Sequence, residues 1–163
     1  MTKKEIDNVL SGIGCDSLNR FAYFLKIAHS CKGANYWYAL QNAYTGSDNL
    51  YYLRNLVKDA FLSNEPNREK LMNRKELKHF NSLPEKFTIF RGMTEFEATT
   101  KDYGLSWTLN KDVAVFFCEK YERNYSTNHL KRVVIEIEVN KSDVIAFLNN
   151  RKEFEIIYIK VLR

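Results

Sequence analysis

The sequence is poor in residues that interrupt or cross-link a chain. It holds only two prolines, Pro66 and Pro84, and six glycines, so no long flexible linker is predicted. The three cysteines, Cys15, Cys31 and Cys118, are odd in number and far apart, which indicates neither a disulfide framework nor a zinc site. The three histidines are equally scattered. We therefore expect reduced thiols and no metal centre.

The sequence also lacks a long apolar run. A membrane-spanning helix needs about 18 or more consecutive apolar residues, and no segment approaches that length. The first residues, Met1 to Asp7, are charged and precede no apolar stretch, which argues against an ordinary secretory signal. Hydrophobic residues make up 45% of the 163 residues, which favours one compact folded domain over disorder. These features predict a cytoplasmic protein with no membrane partner.

Positive charge is in excess, because 25 Lys and Arg residues against 20 Asp and Glu residues give a formal net charge of +5. A basic balance favours acidic partners such as nucleic acid. Periodicity predicts a mostly charged helix from Arg68 to Lys78, which is typical either of a solvated surface helix or of a basic binding face. Ten tyrosines are available to stack on bases, so single-stranded RNA is one candidate partner.

The hydrophobic pattern changes along the chain from helical to alternating. Apolar residues recur at helical spacing in three segments: Leu18 to Ala28, Trp37 to Tyr44, and Leu50 to Phe61. The pattern then changes to period two and predicts strands at 87–91, 105–108, 133–139 and 153–161, with a short apolar run at 144–147. Asn110 is the expected cap of a helix after the second strand. The order predicts an α+β fold, in which a helical lobe, residues 1–85, packs on a small mixed β-sheet, residues 86–163.

Three short motifs in the second half combine polar residues with strand ends: Arg91-Gly92, Ser106-Trp107-Thr108 and Glu153-Phe154-Glu155. Residues two apart on a strand project to the same side, so we expect Glu153 and Glu155 to share one face. The same rule places Ser106 and Thr108 on one face of their strand. A carboxylate that opens an apolar strand needs a partner or solvent, and a cleft near Arg91 and Ser106 would supply both.

In their order, spacing and predicted context, these motifs resemble the ADP-ribosyltransferase fold of the arginine–serine–glutamate class. That class includes cholera-toxin-like and phage-type mono-ADP-ribosyltransferases. The resemblance covers residues 86 to 163, and it lies in Phe90-Arg91-Gly92, Gly104-Leu105-Ser106-Trp107-Thr108 and Arg151-Lys152-Glu153-Phe154-Glu155. The serine motif departs from the family pattern in its central tryptophan and its threonine. The first half matches only as a generic helical lobe.

The resemblance implies that NAD⁺ is the co-substrate and that no metal takes part. Breaking the nicotinamide–ribose bond builds positive charge on the sugar, which Glu155 would stabilise as the catalytic carboxylate. Ser106 would orient Glu155 through a hydrogen bond. Arg91 would hold the phosphates or the ribose of NAD⁺, because a guanidinium suits anionic oxygens. Gly92 would let the main chain approach the nicotinamide amide.

The resemblance also implies roles for residues around these four. Thr108 and Phe116 are expected to contact NAD⁺, although the ring of Phe116 could instead pack in the core. Glu153 would face the acceptor, because in relatives a glutamate two residues before the catalytic one usually accompanies transfer to arginine. The basic residues of the preceding turn, Arg151 and Lys152, would suit an anionic acceptor at least as well. The acceptor therefore stays open between protein arginine and single-stranded RNA.

Other functions are compatible with the same sequence. An NAD⁺ glycohydrolase would use the same site with water as the acceptor. A catalytically silent module could keep the fold and bind nucleic acid through its basic helix, and an unrelated α+β domain could carry the motifs by coincidence. The transferase hypothesis accounts for the arginine, the serine and both glutamates together. The small size of the protein is typical of a bacterial or phage toxin or defence effector, for which a neutralising antitoxin is an expected partner.

Overall fold

The computed structural model describes residues 1–48, 50–120 and 130–160. This part of the chain contains seven α-helices and five β-strands, which confirms the α+β class. The chain divides into two compact units, Met1–Asn73 and Arg74–Arg163. Across the described ranges, no helix is long and apolar enough to cross a membrane.

The first unit is built around one buried helix. Its four helices are α1 (Lys3–Leu10), α2 (Arg20–Ile27), α3 (Ala34–Thr45) and α4 (Arg54–Phe61). Helix α3 contacts the other three and buries Trp37 and Leu40 completely. The apolar periodicity predicts α2, α3 and α4 but not α1. The start of α1 is marked by a capping box, in which Thr2 and Glu5 each bond the other's main-chain nitrogen.

The continuous basic helix predicted from Arg68 to Lys78 is wrong. The segment forms a 3-10 turn, Arg68–Leu71, followed by a separate helix, α5 (Arg74–Ser82), which belongs to the second unit. Between them Met72 has an extended backbone, with φ −100° and ψ 136°, and both Leu71 and Met72 are buried. Burial of these two neighbours outweighs the helical propensity of the charged residues around them. The basic residues therefore form no single helical face.

The second unit is a five-stranded sheet with three helices. Its strands are β1 (Lys86–Thr94), β2 (Ser106–Thr108), β3 (Arg132–Asn140), β4 (Val144–Leu148) and β5 (Glu155–Tyr158). Helix α5 is joined by α6 (Glu95–Thr100) and α7 (Lys111–Glu119). The sheet order is β3-β1-β2-β5-β4, and every pairing is antiparallel, so the predicted mixed sheet is wrong. A short turn such as that at residues 149–154 can join only antiparallel neighbours.

Alternation along β1 separates the two faces of this sheet. Ile89 and Met93 project to one face, where they are almost fully buried, and strand geometry places Arg91 between them on that face. Phe90 and Gly92 project to the other face. Helix α7 packs against β1, and Lys111 at its start lies 5.8 Å from the centre of the Phe90 ring. Arg91 and Gly92 are adjacent in the chain and therefore face opposite sides of the sheet.

Gly92 lies where α7 approaches the sheet most closely. A Cβ atom added to Gly92 would meet the carbonyl oxygen of Ala114 and would lie 2.7 Å from the main-chain nitrogen of Cys118. Asn110 fixes the start of α7, because its side chain accepts a hydrogen bond from the main chain of Asp112 at 2.9 Å, as predicted for a cap. The structure thus gives Gly92 a packing role.

We expect Gly92→Ala to destabilise the protein by about 1–3 kcal/mol, because the added methyl group would overlap main-chain atoms that a side-chain rotation cannot move. The matched control is Thr88→Ala, which truncates an exposed side chain on the same face of β1 and should change stability by less than about 0.5 kcal/mol. Urea unfolding followed by circular dichroism measures both. Equal stability of the two variants would contradict the close packing of α7 on β1.

Candidate active site

Four of the residues singled out in the sequence come together where β1, β2 and β5 lie side by side: Arg91, Ser106, Thr108 and Glu155. In the β2–β5 register Thr108 stands opposite Glu155 and Ser106 stands opposite Ile157. Ser106 and Glu155 are therefore diagonal neighbours on one face of the sheet. The hydroxyl of Ser106 donates a hydrogen bond to Oε1 of Glu155 at 2.5 Å. The two residues are 49 positions apart in the chain, so the fold creates this contact.

Glu155 is a buried carboxyl group with polar partners. The residue is only 4% exposed, and its strand otherwise carries the apolar residues Ile156 and Ile157, both fully buried. Besides Ser106 on Oε1, it has Nη2 of Arg151 at 3.5 Å from Oε2. An acid group can be buried only where such partners replace the lost water. The side chain is therefore held in one place by contacts to both of its oxygens.

Arg91 supports Ser106 through the main chain. Its Nη1 donates a hydrogen bond to the carbonyl oxygen of Ser106 at 2.6 Å, and its Nε donates to Oε1 of Glu97 at 2.9 Å. The same Glu97 oxygen accepts a bond from the main-chain nitrogen of Gly104 at 2.8 Å. Arg91 and Glu97 thus link α6, the segment before β2 and β2 itself. These contacts are to protein atoms, and the phosphate-binding role expected for Arg91 stays a prediction.

Glu97 was missed by the sequence reasoning, although a local signal marks it. Thr94 is followed three residues later by Glu97, the spacing of a helix-capping pair. In the structure Thr94 Oγ1 does accept a hydrogen bond from the Glu97 main chain at 3.2 Å, and α6 begins there. The carboxylate of Glu97 then turns to Arg91 at 2.9 Å instead of to the cap. The capping pattern could have predicted α6, but not the partner of its glutamate.

Thr108 joins β2 to the segment that precedes Glu155. Its hydroxyl donates a hydrogen bond to the carbonyl oxygen of Glu153 at 2.7 Å and accepts one from the main-chain nitrogen of Asn110 at 3.0 Å. The residue is 5% exposed. Next to it, Leu109 donates from its main chain to the carbonyl oxygen of Phe154 at 3.0 Å. Thr108 thus forms hydrogen bonds with main-chain atoms of Glu153 and Asn110, and its expected contact with NAD⁺ stays a prediction.

The turn at residues 149–154 is closed by Asn149. The carbonyl oxygen of Asn149 accepts from the main chain of Lys152 at 3.0 Å, and its side-chain Oδ1 accepts from the main chain of Phe154 at 3.0 Å. Its own main-chain nitrogen donates to Oε1 of Glu76 at 2.7 Å. Glu76 lies on α5 and is only 3% exposed. A buried glutamate that the sequence reasoning did not single out thus anchors the turn before Glu155.

Two residues of this turn have left-handed backbone conformations. Lys152 has φ 59° and Phe154 has φ 50°. Side chains with a Cβ atom disfavour this region by roughly 1–2 kcal/mol per residue. Strain of this kind persists only where surrounding contacts enforce it, and it is often found beside functional sites. Here the hydrogen bonds to Asn149 and Leu109 enforce it, directly before Glu155.

Glu153 does not lie on the last strand. Strand β5 begins at Glu155, so the period-two rule that paired the two glutamates on one face is wrong at Glu153, and Val161 lies outside the described residues. The turn with its left-handed residues takes up the positions expected to be strand. A different interaction brings the glutamates together: Arg151 contacts Glu153 through Nε at 3.3 Å and Glu155 through Nη2 at 3.5 Å.

Burial and the environment formed by Arg151 and Glu155 shift the pKa of Glu153. Burial raises the pKa of Glu153 above its usual value, the guanidinium of Arg151 lowers it, and the nearby carboxyl group of Glu155 raises it. The net direction is upward. Glu153 is therefore an acid group that binds a proton more readily than an exposed glutamate does.

Phe116 lies on the surface of α7, with 46% of its area exposed. Its ring meets that of Phe117 edge to face, with 5.5 Å between the ring centres. Of the two placements open for Phe116, core packing is therefore wrong. Contact with NAD⁺ stays a prediction for Phe116, as it does for Gly92, whose missing side chain makes room for α7.

In the ranges that the structure describes, no three His, Cys, Asp or Glu side chains are grouped as metal ligands would be. No protein-family model matches the chain, and no curated protein or solved structure compared with it is significantly similar to it.

The raised pKa of Glu153 predicts a pH effect on stability. An acid whose pKa is raised by folding stabilises the protein below its unfolded pKa, and that stability is lost as the pH rises through the folded pKa. We expect Glu153→Gln to remove this loss, so the variant should gain stability relative to the wild type as the pH rises above the usual value of 4.5. Urea unfolding at pH values on either side of 4.5 measures this difference in stability.

The control is Glu138→Gln, which removes an exposed carboxylate on β3. A Glu153→Gln variant that loses stability relative to the wild type over this range would contradict the direction of the pKa shift.

Proposed function

We propose that this protein is a mono-ADP-ribosyltransferase that moves ADP-ribose from NAD⁺ to a macromolecular acceptor. The observation that carries the proposal is the contact between Ser106 and Glu155 at 2.5 Å, with Arg91 behind Ser106 and Glu153 beside Glu155. The residues come from three strands and from the turn directly before the third of them, and Arg91 and Ser106 are far from the two glutamates in sequence. The motif resemblance requires this meeting, and a chance set of motifs does not.

The geometry suits the chemistry of the proposed reaction. As the nicotinamide–ribose bond breaks, the sugar becomes positively charged, and a preorganised carboxylate stabilises that charge best where little water competes. Glu155 is buried, and Ser106 and Arg151 fix its oxygens. In this proposal Glu155 is the catalytic carboxylate, and Ser106 is the residue that positions it.

The remaining assignments belong to the same proposal. Arg91 sets the position of β2 through the main chain of Ser106 from the opposite face of the sheet, and its binding to an NAD⁺ phosphate or ribose stays an expectation of the resemblance. Gly92 and Thr108 lie on the same face of the sheet as Glu155, by strand alternation. Phe116, which is partly exposed on α7, would contact the nicotinamide in this proposal. NAD⁺ is the co-substrate, and no step of this proposal uses a metal.

The site favours a guanidinium acceptor over an RNA base. The argument for RNA depended on the net charge of +5, the ten tyrosines and a continuous basic helix, and the structure replaces that helix with two separate elements. Glu153 and Glu155 instead already hold a guanidinium between them. We therefore place protein arginine first and RNA second as the acceptor. A toxin or defence role with a neutralising antitoxin remains part of the proposal, and it follows from the type of enzyme.

The proposal predicts that Glu155→Gln abolishes transfer. The amide keeps the size of the side chain but loses the charge that stabilises the cationic sugar, so we expect a loss of at least about 100-fold. Purified protein is incubated with labelled NAD⁺ and cell lysate, and portions are digested with protease or RNase. Glu138→Gln removes an exposed carboxylate away from the site and is the matched control.

Each result of this experiment has a defined meaning. The transferase is supported if macromolecules are labelled by the wild type and by Glu138→Gln, but not by Glu155→Gln. The enzyme that removes the label, protease or RNase, then identifies the acceptor as protein or RNA. Free ADP-ribose without labelled macromolecules identifies a glycohydrolase instead. If the wild type leaves NAD⁺ intact, the catalytic proposal fails, and binding of single-stranded RNA becomes the next property to measure.

A further inference from the structure

Helix α5 contacts the strand and the turn that lead to Glu155 at two points, one helical turn apart. Oε1 of Glu76 accepts a hydrogen bond from the main-chain nitrogen of Asn149 at 2.7 Å. Three residues further along the helix, the ring of His79 stacks on that of Phe147 in β4, with 4.4 Å between the ring centres. Residues three apart lie on the same side of a helix, so one side of α5 faces both β4 and the start of the turn.

Glu76 is the most buried residue of α5. It is 3% exposed, whereas the apolar residues Leu77 and Phe80 of the same helix are only half-buried. Burial of an acid costs free energy unless hydrogen bonds replace the lost water, and an apolar side chain would fill this position without that cost. Packing alone therefore does not account for an acid at this position, but the hydrogen bond to Asn149 does.

Asn149 links α5 to the residue directly before Glu155. The pairing of β4 with β5 ends at Leu148 and Glu155, and Asn149 is the first residue beyond it. The side-chain Oδ1 of Asn149 accepts a hydrogen bond from the main-chain nitrogen of Phe154 at 3.0 Å, and Phe154 has a left-handed backbone with φ 50°. Glu76 thus holds the residue that enforces this conformation.

The two glutamates of the site depend on this link to different degrees. Glu155 lies on β5, which is paired with β2 and β4, and a hydroxyl group on β2 holds its carboxyl group. Glu153 lies inside the turn, where Thr108 holds its carbonyl oxygen and Asn149 holds the residue that follows it. A change at Glu76 should therefore displace Glu153 more than Glu155.

From these contacts we infer that Glu76 is a positioning residue of the proposed transferase, whose hydrogen bond to Asn149 fixes the turn that places Glu153 beside Glu155. The inference rests on the proposed function, because it needs a reaction at Glu155. Glu76 acts through the main chain of the turn and touches none of the reacting atoms. The new content is a residue outside the three motifs, on a helix that carries none of them, on which transfer to the acceptor depends.

Replacement of Glu76 should uncouple transfer from the cleavage of NAD⁺. Cleavage needs Glu155, which the strand pairing secures, and transfer also needs Glu153, which faces the acceptor in the proposed function. Glu76→Leu keeps the size of the side chain but cannot accept the bond, and we expect it to lower the transfer rate at least about 10-fold. Nicotinamide release and the KM for NAD⁺ should change much less. Glu76→Gln keeps an acceptor oxygen and should retain transfer.

The test uses the purified protein, labelled NAD⁺ and poly-L-arginine as the acceptor. Nicotinamide release measures cleavage and label on the polymer measures transfer, so each variant has a ratio of the two rates. The matched control is His79→Leu, which removes the stack on Phe147 but keeps the bond between Glu76 and Asn149. Thermal unfolding shows whether each variant folds. If Glu76→Leu does not fold, Glu76→Asp takes its place, because a side chain shorter by one methylene withdraws the carboxyl group from Asn149.

The outcomes separate this inference from the proposed function. A lowered ratio of transfer to cleavage in Glu76→Leu, with a wild-type ratio in Glu76→Gln and His79→Leu, supports the inference. It is overturned if Glu76→Leu keeps the wild-type ratio, if Glu76→Gln is equally impaired, or if His79→Leu lowers the ratio as much, and each of these results leaves the transferase standing. Cleavage without transfer by the wild type overturns the inference and leaves the cleavage activity. No nicotinamide release by the wild type overturns both.

Discussion

The buried carboxyl group of Glu155 is the constraint on which the second unit depends. It is 4% exposed, and an acid group removed from water needs polar partners in fixed positions. Ser106 and Arg151 are those partners, and each is supplied by a different feature of the fold. The antiparallel register of β2 and β5 delivers Ser106, and the turn at 149–154 delivers Arg151. A slip of one residue in that register would turn Ser106 to the opposite face and leave the carboxyl group without its hydroxyl partner.

The elements around this contact are joined by a set of hydrogen bonds to main-chain atoms. Arg91 holds the main chain of Ser106 from the opposite face, and Glu97 holds Arg91. On the other side, Thr108 holds the main chain of Glu153, and Glu76 holds the turn through Asn149. Each bond fixes a main-chain atom, which limits how far β2 and β5 can shift. Such support matters for the catalytic role proposed for Glu155, because a carboxylate stabilises a developing charge best when it is in position beforehand.

The strands and the motifs could be predicted from the sequence because they depend on local patterns. Alternating apolar residues marked β3, and the Asn110 cap marked the start of α7. The features that were mispredicted depend on contacts between distant residues. Burial of Leu71 and Met72 broke the expected basic helix, and Glu153 left the strand because Asn149 closes a turn there. Strand direction was also missed, since a period-two pattern is the same in parallel and antiparallel neighbours.

The cluster around Glu155 contains two acid groups and one guanidinium, and this imbalance decides what the site attracts. Glu153 shows the effect, because burial and the neighbouring carboxyl group together raise its pKa despite the contact with Arg151. A second positive group would relieve the remaining acid excess. The proposed reaction supplies such a group twice, first as the pyridinium of NAD⁺ and then as the cationic sugar. Arg151 compensates part of this acid excess through its contacts with Glu153 and Glu155, so the positive groups of the proposed reaction would compete with it for the same two carboxyl groups.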